Sequence, residues 1–193
     1  MNKKSIVEIQ LAESIALKQK VKLELSGKIV ELASILADCL KKGNKILLCG
    51  NGGSAADAQH LAAELMVRLR SNCRDFPLPA IALSTDTSIL TACANDFGFE
   101  NIFSRQIQAL GKKGDCLIVI STSGNSENII LAAKQARKLG LKVIGFLGKD
   151  GGKLKKLVDY PFLVPSKNVP RIQETHITVG HIVLELVEDL VTK

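Results

Sequence analysis

Hydrophobic and polar residues are arranged along this chain in blocks that predict short buried strands separated by helices. The apolar runs that predict strands cover residues 45–49, 80–84, 116–120, 142–147 and 160–164. Most of these runs are continuously apolar, as in parallel strands that are covered by helices on both faces. The pattern therefore predicts a doubly wound α/β fold with a mainly parallel five-stranded sheet, which binds its ligands at the carboxyl ends of the strands.

Two helices are predicted ahead of the first strand, over residues 5 to about 42. The first is imperfect, because Glu13 interrupts the stripe formed by its apolar residues, which are Ile6, Ile9, Leu11, Ile15 and Leu17. The second has apolar residues every three or four positions, with Ser26 as N-cap and Gly43 as the stop, at Ile29, Leu32, Leu36 and Leu40. A helical pair has no place in a minimal βαβ core, so we expect it to pack against another subunit.

The whole chain, 1–193, is predicted to be one domain, because no linker, low-complexity tract or internal repeat divides it. Residues 1–43 form its N-terminal helices, which we expect to serve oligomerisation. Residues 44–193 form the α/β core and a long last helix from about Pro170 to Val191. Pro170 suits the first turn of that helix, because proline lacks the N–H that would have no helical partner there.

Composition favours an anionic small-molecule substrate over nucleic acid. The net charge is +7, but aromatic residues make up only 4% of the chain and there is no Trp, so platforms for stacked bases are lacking. The basic residues are scattered, and their only cluster is short and typical of a solvated face, at Lys153, Lys155 and Lys156. A basic chain of this kind attracts anionic substrates in general.

Cysteine usage and hydropathy predict a cytoplasmic protein without a membrane partner. The five cysteines form no C-x-x-C motif, and an odd number cannot all pair within the chain. They are typical of small buried residues in a reducing compartment. The N-terminus does not have the pattern of a signal peptide, and no apolar run approaches the ~20 residues that span a bilayer.

A glycine-rich loop follows the first predicted strand and leads into a helix. Its sequence, Gly50-Asn51-Gly52-Gly53-Ser54-Ala55, places backbone N–H groups where they can approach an anion. It also satisfies G-x-G-x-x-A, but the acidic residue that a dinucleotide site needs, Asp86, lies roughly 30 residues on rather than about 20. A tight turn that needs glycine is the structural alternative. His60 and Glu64 follow on one face of the helix, together with Asp57 near its start.

A second polar loop, Ser121-Thr122-Ser123-Gly124-Asn125-Ser126, follows the third predicted strand. Its four hydroxyl groups precede a helix from about Glu127 to Leu139. Hydroxyls and backbone N–H groups at a helix N-terminus suit a phosphate dianion, although simple helix capping would use one of these hydroxyls as well. The chain lacks G-x-x-x-x-G-K-[ST], so the loop predicts a phosphate monoester and no nucleotide cofactor.

The titratable residues of the helix after the glycine-rich loop and of the last helix also have structural interpretations. A lone histidine on a helix is more often structural than catalytic, and Glu64 could form a surface ion pair with Arg68. His181 fits a structural role less well, because it lies in an apolar stretch where burial would require a polar partner.

Taken together, several blocks resemble the SIS domain family and, within it, the phosphoheptose isomerases. The likeness covers almost the whole chain, and its blocks are Cys49 to Ser54 with His60 and Glu64, Asn95 to Phe99, Ser121 to Ser126, Gly148 to Gly152, and Arg171 to Glu174 with His176 and His181. One departure is Pro170, which stands where family members often have an acidic or polar residue.

The resemblance implies an isomerase of sedoheptulose 7-phosphate. Glu64 and His181 would be its acid/base pair, and a zinc ion, present in some members, would be bound by His60, Glu64, Gln173 and His181. The residues expected to bind substrate are Asn51, Gly52, Gly53, Ser54, Glu64, Asn95, Asp96, Ser121, Thr122, Ser123, Ser126 and Gln173. The family is tetrameric with sites at subunit boundaries, so Glu64 and His181 need not come from one chain.

Three other functions compete with this interpretation. Some related SIS proteins are non-catalytic and bind the bacterial replication initiator, but they lack equivalents of Glu64 and His181. A sugar-phosphate-sensing regulator would need a DNA-binding region, and no helix-turn-helix is left over here. An isomerase of another phosphosugar is the alternative that the sequence excludes least.

Overall fold

The computed structural model describes residues 2–192 and contains one five-stranded sheet. The strands are β1 (Ile46–Gly50), β2 (Ala80–Ala82), β3 (Cys116–Ser121), β4 (Lys142–Gly148) and β5 (Tyr160–Val164). Their order in the sheet is β2-β1-β3-β4-β5, and every neighbouring pair is parallel. Both the doubly wound class and the positions of the five strands are confirmed.

In residues 2–192, six α-helices surround the sheet, together with short 3₁₀ helices at Phe99–Asn101 and Lys153–Lys156. The α-helices are α1 (Lys3–Lys41), α2 (Gly53–Met66), α3 (Thr87–Phe97), α4 (Ser104–Leu110), α5 (Glu127–Lys138) and α6 (Val169–Thr192). The prediction of a long last helix is confirmed, and Pro170 lies in its first turn.

The N-terminal segment is one continuous helix, so the prediction of two helices is wrong. Residues 3–41 form a single 39-residue helix, and Ser26 lies inside it, donating its hydroxyl to the carbonyl of Lys22 instead of capping a new helix. The apolar stripe continues across the expected break, through Leu17, Val21, Leu25 and Ile29 at four-residue spacing. Gly43 does follow the end of the helix, with a φ of 75°.

The sheet separates two apolar layers, as a doubly wound fold requires. Ile46 and Leu48 of β1 belong to the layer that includes α1, α2 and α6, whereas Leu47 and Cys49 face the layer of α3, α4 and α5. This alternation explains why the strand sequences are apolar at most positions on both faces. Four cysteines are buried as predicted, at Cys39, Cys49, Cys93 and Cys116, and Cys73 is partly buried.

Strand order places the predicted ligand loops side by side. From β1 the chain proceeds to β2 at one edge of the sheet, and from β3 it proceeds outward in the other direction. The carboxyl ends of β1 and β3 are therefore neighbours at the point where the order reverses, which is where open α/β sheets bind ligands. Within residues 2–192, no helix is both long enough and apolar enough to cross a membrane.

Candidate active site

Helices α2 and α6 bring two histidines together that are 121 positions apart in the sequence. The Nε2 atoms of His60 and His181 are 2.7 Å apart, and the ring planes are inclined at 68°. At this distance one ring carries its proton on Nε2 and donates it to the other, so the pair constrains both tautomers. The contact depends on close helix packing, because a Cβ at Gly180 would lie within 2.8 Å of the Leu61 side chain.

Glu64 joins this pair from the next turn of α2. Its Oε1 atom is 3.5 Å from His60 Nε2, and its side chain is 21% exposed, so it is sheltered but accessible from solvent. The alternative of a surface ion pair with Arg68 is not realised, because Arg68 donates to the carbonyl of Ser71 instead. His60, Glu64 and His181 thus form one cluster within a single chain.

Gln173 approaches the same face of α2 at Gly53, about two turns before His60 and three turns before Glu64. A Cβ built on Gly53 would lie 2.5 Å from Gln173 Nε2 and 3.4 Å from its Oε1. Gly53, His60 and Glu64 fall within a narrow sector of the helix at about 100° per residue. The amide of Gln173 therefore occupies space that any larger residue at position 53 would fill, on the face that carries the cluster.

A pair of amides joins the glycine-rich loop, Gly50 to Ser54, to the first turn of α5, which directly follows the serine-rich loop, Ser121 to Ser126 (below, the glycine loop and the serine loop). Asn51 and Asn128 exchange two hydrogen bonds of 2.9 Å, each donating its Nδ2 to the other's Oδ1. Gly52 has a φ of 55° and a ψ of −123°, a conformation that favours glycine. Ser54 is buried in the first turn of α2, and its N–H bonds to the carbonyl of Asn51.

The four hydroxyls of the serine loop differ in what they contact. Ser121 is buried, and its Oγ accepts from the N–H of Gly124, while Ser123 Oγ accepts from the N–H of Asn125. Ser126 is the N-cap residue of α5, yet its side chain makes no capping hydrogen bond. Within residues 2–192, neither Thr122 nor Ser126 has a hydrogen bond through its hydroxyl. Capping therefore does not account for the hydroxyls of this loop.

Two predicted substrate residues are exposed on α3. Asn95 and Asp96 are exposed in the last turns of α3, and Asn95 Nδ2 donates to Asp96 Oδ1 at 2.8 Å. No hydrogen bond or ion pair among the described residues connects them to the two loops. Asp86 caps α3 by accepting from the N–H of Ile89, and this structural role accounts for the residue that the dinucleotide interpretation required.

The structure adds two polar residues to which the sequence assigned no function. Asn128 is buried through its bond with Asn51, and a polar residue in the first turn of α5 was its only signal. Burial raises the pKa of Asp57 to about 6, and the charge of His60 opposes part of that rise. The Oδ2 atom of Asp57 is buried without a hydrogen-bond partner among the described residues, on the α2 face that carries His60.

The donor set suits zinc, although the present geometry is that of a hydrogen bond. Two imidazoles, a carboxylate and an amide oxygen are plausible zinc ligands. Two nitrogens bound to one tetrahedral zinc would lie about 3.3 Å apart, so the rings of His60 and His181 would have to separate slightly from 2.7 Å. Among residues 2–192, no group of three or more His, Cys, Asp or Glu side chains is arranged to hold a metal ion.

Comparison with known proteins agrees with the resemblance found in the sequence. The model of the SIS domain matches residues 11–148. The chain is 51% identical to the phosphoheptose isomerase of Clostridium acetobutylicum, over 96% of this chain and 94% of the relative, and 58% identical to that of Aquifex aeolicus, over 85% of each. The solved phosphoheptose isomerase of Neisseria gonorrhoeae superposes with a TM-score of 0.92 at 43% identity, over 97% of this chain and 100% of that one. The chain therefore belongs to the SIS domain family and, within it, to the phosphoheptose isomerases.

Proposed function

We propose that this protein is the aldose–ketose isomerase that converts sedoheptulose 7-phosphate to D-glycero-D-manno-heptose 7-phosphate. The observation that carries the proposal is the cluster of His60, Glu64 and His181, which is assembled from α6 and from α2, the helix that begins at the glycine loop. The relatives at 51–58% identity bear the name of this activity. The product would supply the synthesis of ADP-heptose for lipopolysaccharide core or related surface glycans.

The loops would hold the phosphate end of the sugar. Thr122 and Ser126 have hydroxyls available for a ligand. Thr122 directly follows β3, and Ser126 is the N-cap residue of α5, whose dipole contributes about 0.3–1 kcal/mol toward binding an anion. Ser121 and Ser123 shape the loop through their bonds to backbone N–H groups. Asn51 to Ser54 form the other wall, and the Asn51–Asn128 amide pair keeps the two walls in register.

Glu64 and His181 would carry the proton transfers. With the phosphate anchored, Glu64 removes a proton from C1, and the electron pair forms the C1–C2 double bond of a cis-enediol while O2 takes a proton. A proton delivered to C2 and loss of the O1 proton then give the aldose, with His181 exchanging protons with the two oxygens. Positioned acid/base groups of this kind contribute roughly 10²–10⁴-fold each, and remote phosphate binding supplies orientation.

We further propose zinc as a cofactor held by His60, Glu64, Gln173 and His181. The ion would polarise the sugar oxygens and shape the site. A carboxylate bound to zinc would be a weaker base than a free one, so Glu64 would accept the proton only as a free carboxylate. Metal analysis of protein purified without chelator tests this proposal, and activity that is indifferent to exhaustive chelation would contradict it.

We propose a homotetramer in the cytoplasm, assembled through α1. Apolar side chains of this helix are left on the surface, including Leu11 and Ile15, each 59% exposed, and Leu23, 83% exposed. A groove of about 310 Å³ also runs between α1 and α6, and its lining includes Val30 and Ile182. Exposed apolar area on this scale is typical of an interaction surface. Asn95 and Asp96, which are exposed at the end of α3, would then contact sugar hydroxyls at a subunit boundary.

The test is incubation of the pure protein with sedoheptulose 7-phosphate, followed by detection of the aldoheptose phosphate. Conversion is expected, and none with or without added zinc would refute the isomerase proposal. Non-catalytic SIS proteins lack equivalents of Glu64 and His181, whereas this chain has both, along with His60 and Gln173. A parallel assay with other phosphosugars separates this substrate from its analogues.

A further inference from the structure

Arg74 is a fully buried arginine in the segment between α2 and β2. Its side chain is 0% exposed, and it donates to four acceptors. These are the carbonyl of Glu64 at 2.9 Å, the carbonyl of Leu65 at 2.6 Å, the carbonyl of Phe76, and Glu188 Oε1 at 3.1 Å. A buried guanidinium satisfied in this way holds a fixed position relative to every group that it contacts.

Two of these acceptors belong to the last turn of α2. Backbone carbonyls at a helix C-terminus have no partner within the helix, and a cation there interacts favourably with the helix dipole. Arg74 Nη2 fills that position for Glu64 and Leu65, and the N–H of Leu78 also bonds to the carbonyl of Leu65. The backbone of the residue that carries the catalytic carboxylate is therefore held directly by Arg74.

Glu188, the charged acceptor of Arg74, belongs to α6, the helix that carries His181. Glu188 lies seven residues after His181 and so on nearly the same helical face, at about 100° per residue. Its side chain is 1% exposed, and its carboxylate accepts from the N–H of Leu69 and from Arg70 as well as from Arg74. Burial raises the pKa of Glu188, but these hydrogen bonds and charges outweigh it and hold the pKa below its usual value.

We propose that Arg74 is a positioning residue for the isomerase reaction, acting through the Glu64 backbone and Glu188 to set the separation of Glu64 and His181. The inference rests on the isomerase function proposed above. Arg74 does not reach the substrate. It joins the end of α2 to α6, so its loss allows the two helices that carry the acid/base pair to shift. A displacement near 1 Å in such a pair lowers turnover by about 10²-fold.

Arg70 provides a matched control. It also bonds to Glu188, at 3.1 Å, and to Asp189, at 2.6 Å, but it is 38% exposed and its bonds to backbone reach no carbonyl of α2. Both arginines therefore support Glu188, whereas only Arg74 holds Glu64. A kinetic effect that appears only in the Arg74 variant therefore acts through α2. An effect that both variants share reflects general stabilisation of α6.

The experiment compares Arg74→Met and Arg70→Met by steady-state kinetics at a temperature where circular dichroism shows both to be folded. Arg74→Met is expected to lower kcat by about ten- to hundredfold while KM changes less than about threefold, because the phosphate loops lie elsewhere. Arg70→Met is expected to leave kcat within about threefold of the wild type. An unchanged kcat in Arg74→Met, or an equal loss in both variants, would overturn the proposal.

Hydrogen exchange gives a second readout that does not depend on turnover. Faster exchange of the amides of residues 64–67 is expected in Arg74→Met and not in Arg70→Met, because the last turn of α2 loses its cap. If Arg74→Met does not fold, Arg74→Lys replaces it, since lysine keeps the charge but cannot bridge the same acceptors. A wild-type protein without turnover would refute the proposed function, and unchanged exchange would then refute the positioning role independently.

Discussion

Replacing Gly53 by alanine should reduce activity without loss of stability. Gly53 is the first residue of α2, and its φ lies outside the left-handed region, so its backbone accepts alanine. The added Cβ would lie 2.5 Å from Gln173 Nε2 and 3.1 Å from its Cδ. These atoms are the far end of a flexible side chain, so the amide of Gln173 moves and the helix stays in place.

The size of the effect follows from the distances. An ordinary contact begins at 3.4 Å, so the amide must retreat by about 1 Å, which is enough to cost about 10²-fold in turnover when a group is held for catalysis. Alanine is meanwhile a better helix former than glycine, so the free energy of unfolding should rise slightly, by at most about 1 kcal/mol. Activity and stability are thus expected to move in opposite directions.

The assay measures kcat, KM and the unfolding midpoint for Gly53→Ala, Gln173→Ala and the double variant. If Gly53→Ala acts through Gln173, it should add little to the loss already caused by Gln173→Ala. Gly27→Ala is the matched control, because an added Cβ there meets nothing within 4 Å, and it should stabilise α1 by about 0.5–1 kcal/mol without a kinetic effect. Wild-type kinetics in Gly53→Ala would refute the assignment of Gln173 to the site.

Three further predictions concern stability and substrate binding. Burial lowers the pKa of His176 to about 4, opposed in part by the Leu147 backbone, so the unfolded chain takes up this proton near pH 6.5 while the folded chain resists it. The free energy of unfolding should therefore fall by up to about 3 kcal/mol as the pH falls from 6.5 to 4. Denaturant titrations at pH 7 and 4.5 should show a smaller fall in His176→Leu than in the wild type. An equal fall in the two proteins would contradict this prediction. Ser126→Ala should raise KM several-fold and change the unfolding midpoint little, because the hydroxyl makes no capping hydrogen bond to α5. A marked loss of stability at unchanged KM would refute the ligand role of Ser126. Asn128→Ala should raise KM and also lower stability by about 1 kcal/mol, because it leaves the partly buried amide of Asn51 without its partner. An unchanged KM would show that the amide pair does not support the phosphate site.

Much of the fold could be predicted because strand burial leaves a direct trace in the sequence. A strand covered on both faces must be apolar at every position, and β3, which is buried throughout, was predicted from that property alone. The break in α1 was predicted wrongly because Ser26 matches an N-cap locally. The stripe through Val21 and Leu25 packs against the core and keeps the helix continuous, so tertiary packing outweighs the local preference.

The site was only partly predictable because its parts meet through tertiary structure. Helical spacing placed His60 and Glu64 on one face, but nothing local pairs His60 with a residue 121 positions away, and only the family resemblance connected them. The free hydroxyl of Ser126 has the same local signature as an ordinary cap. Arg74 gave no signal at all, because a single arginine in a loop reveals neither its burial nor its acceptors.

The most direct measurement of the central claim is isomerisation of sedoheptulose 7-phosphate in D₂O, followed by NMR, with the wild type, Glu64→Gln and His181→Gln. Acid/base chemistry through an enediol predicts that the wild type forms the aldoheptose phosphate with solvent deuterium bound at C2. Both variants should remain folded and bind the phosphosugar, but form no product. Product without deuterium, or turnover at the wild-type rate in either variant, would contradict the account.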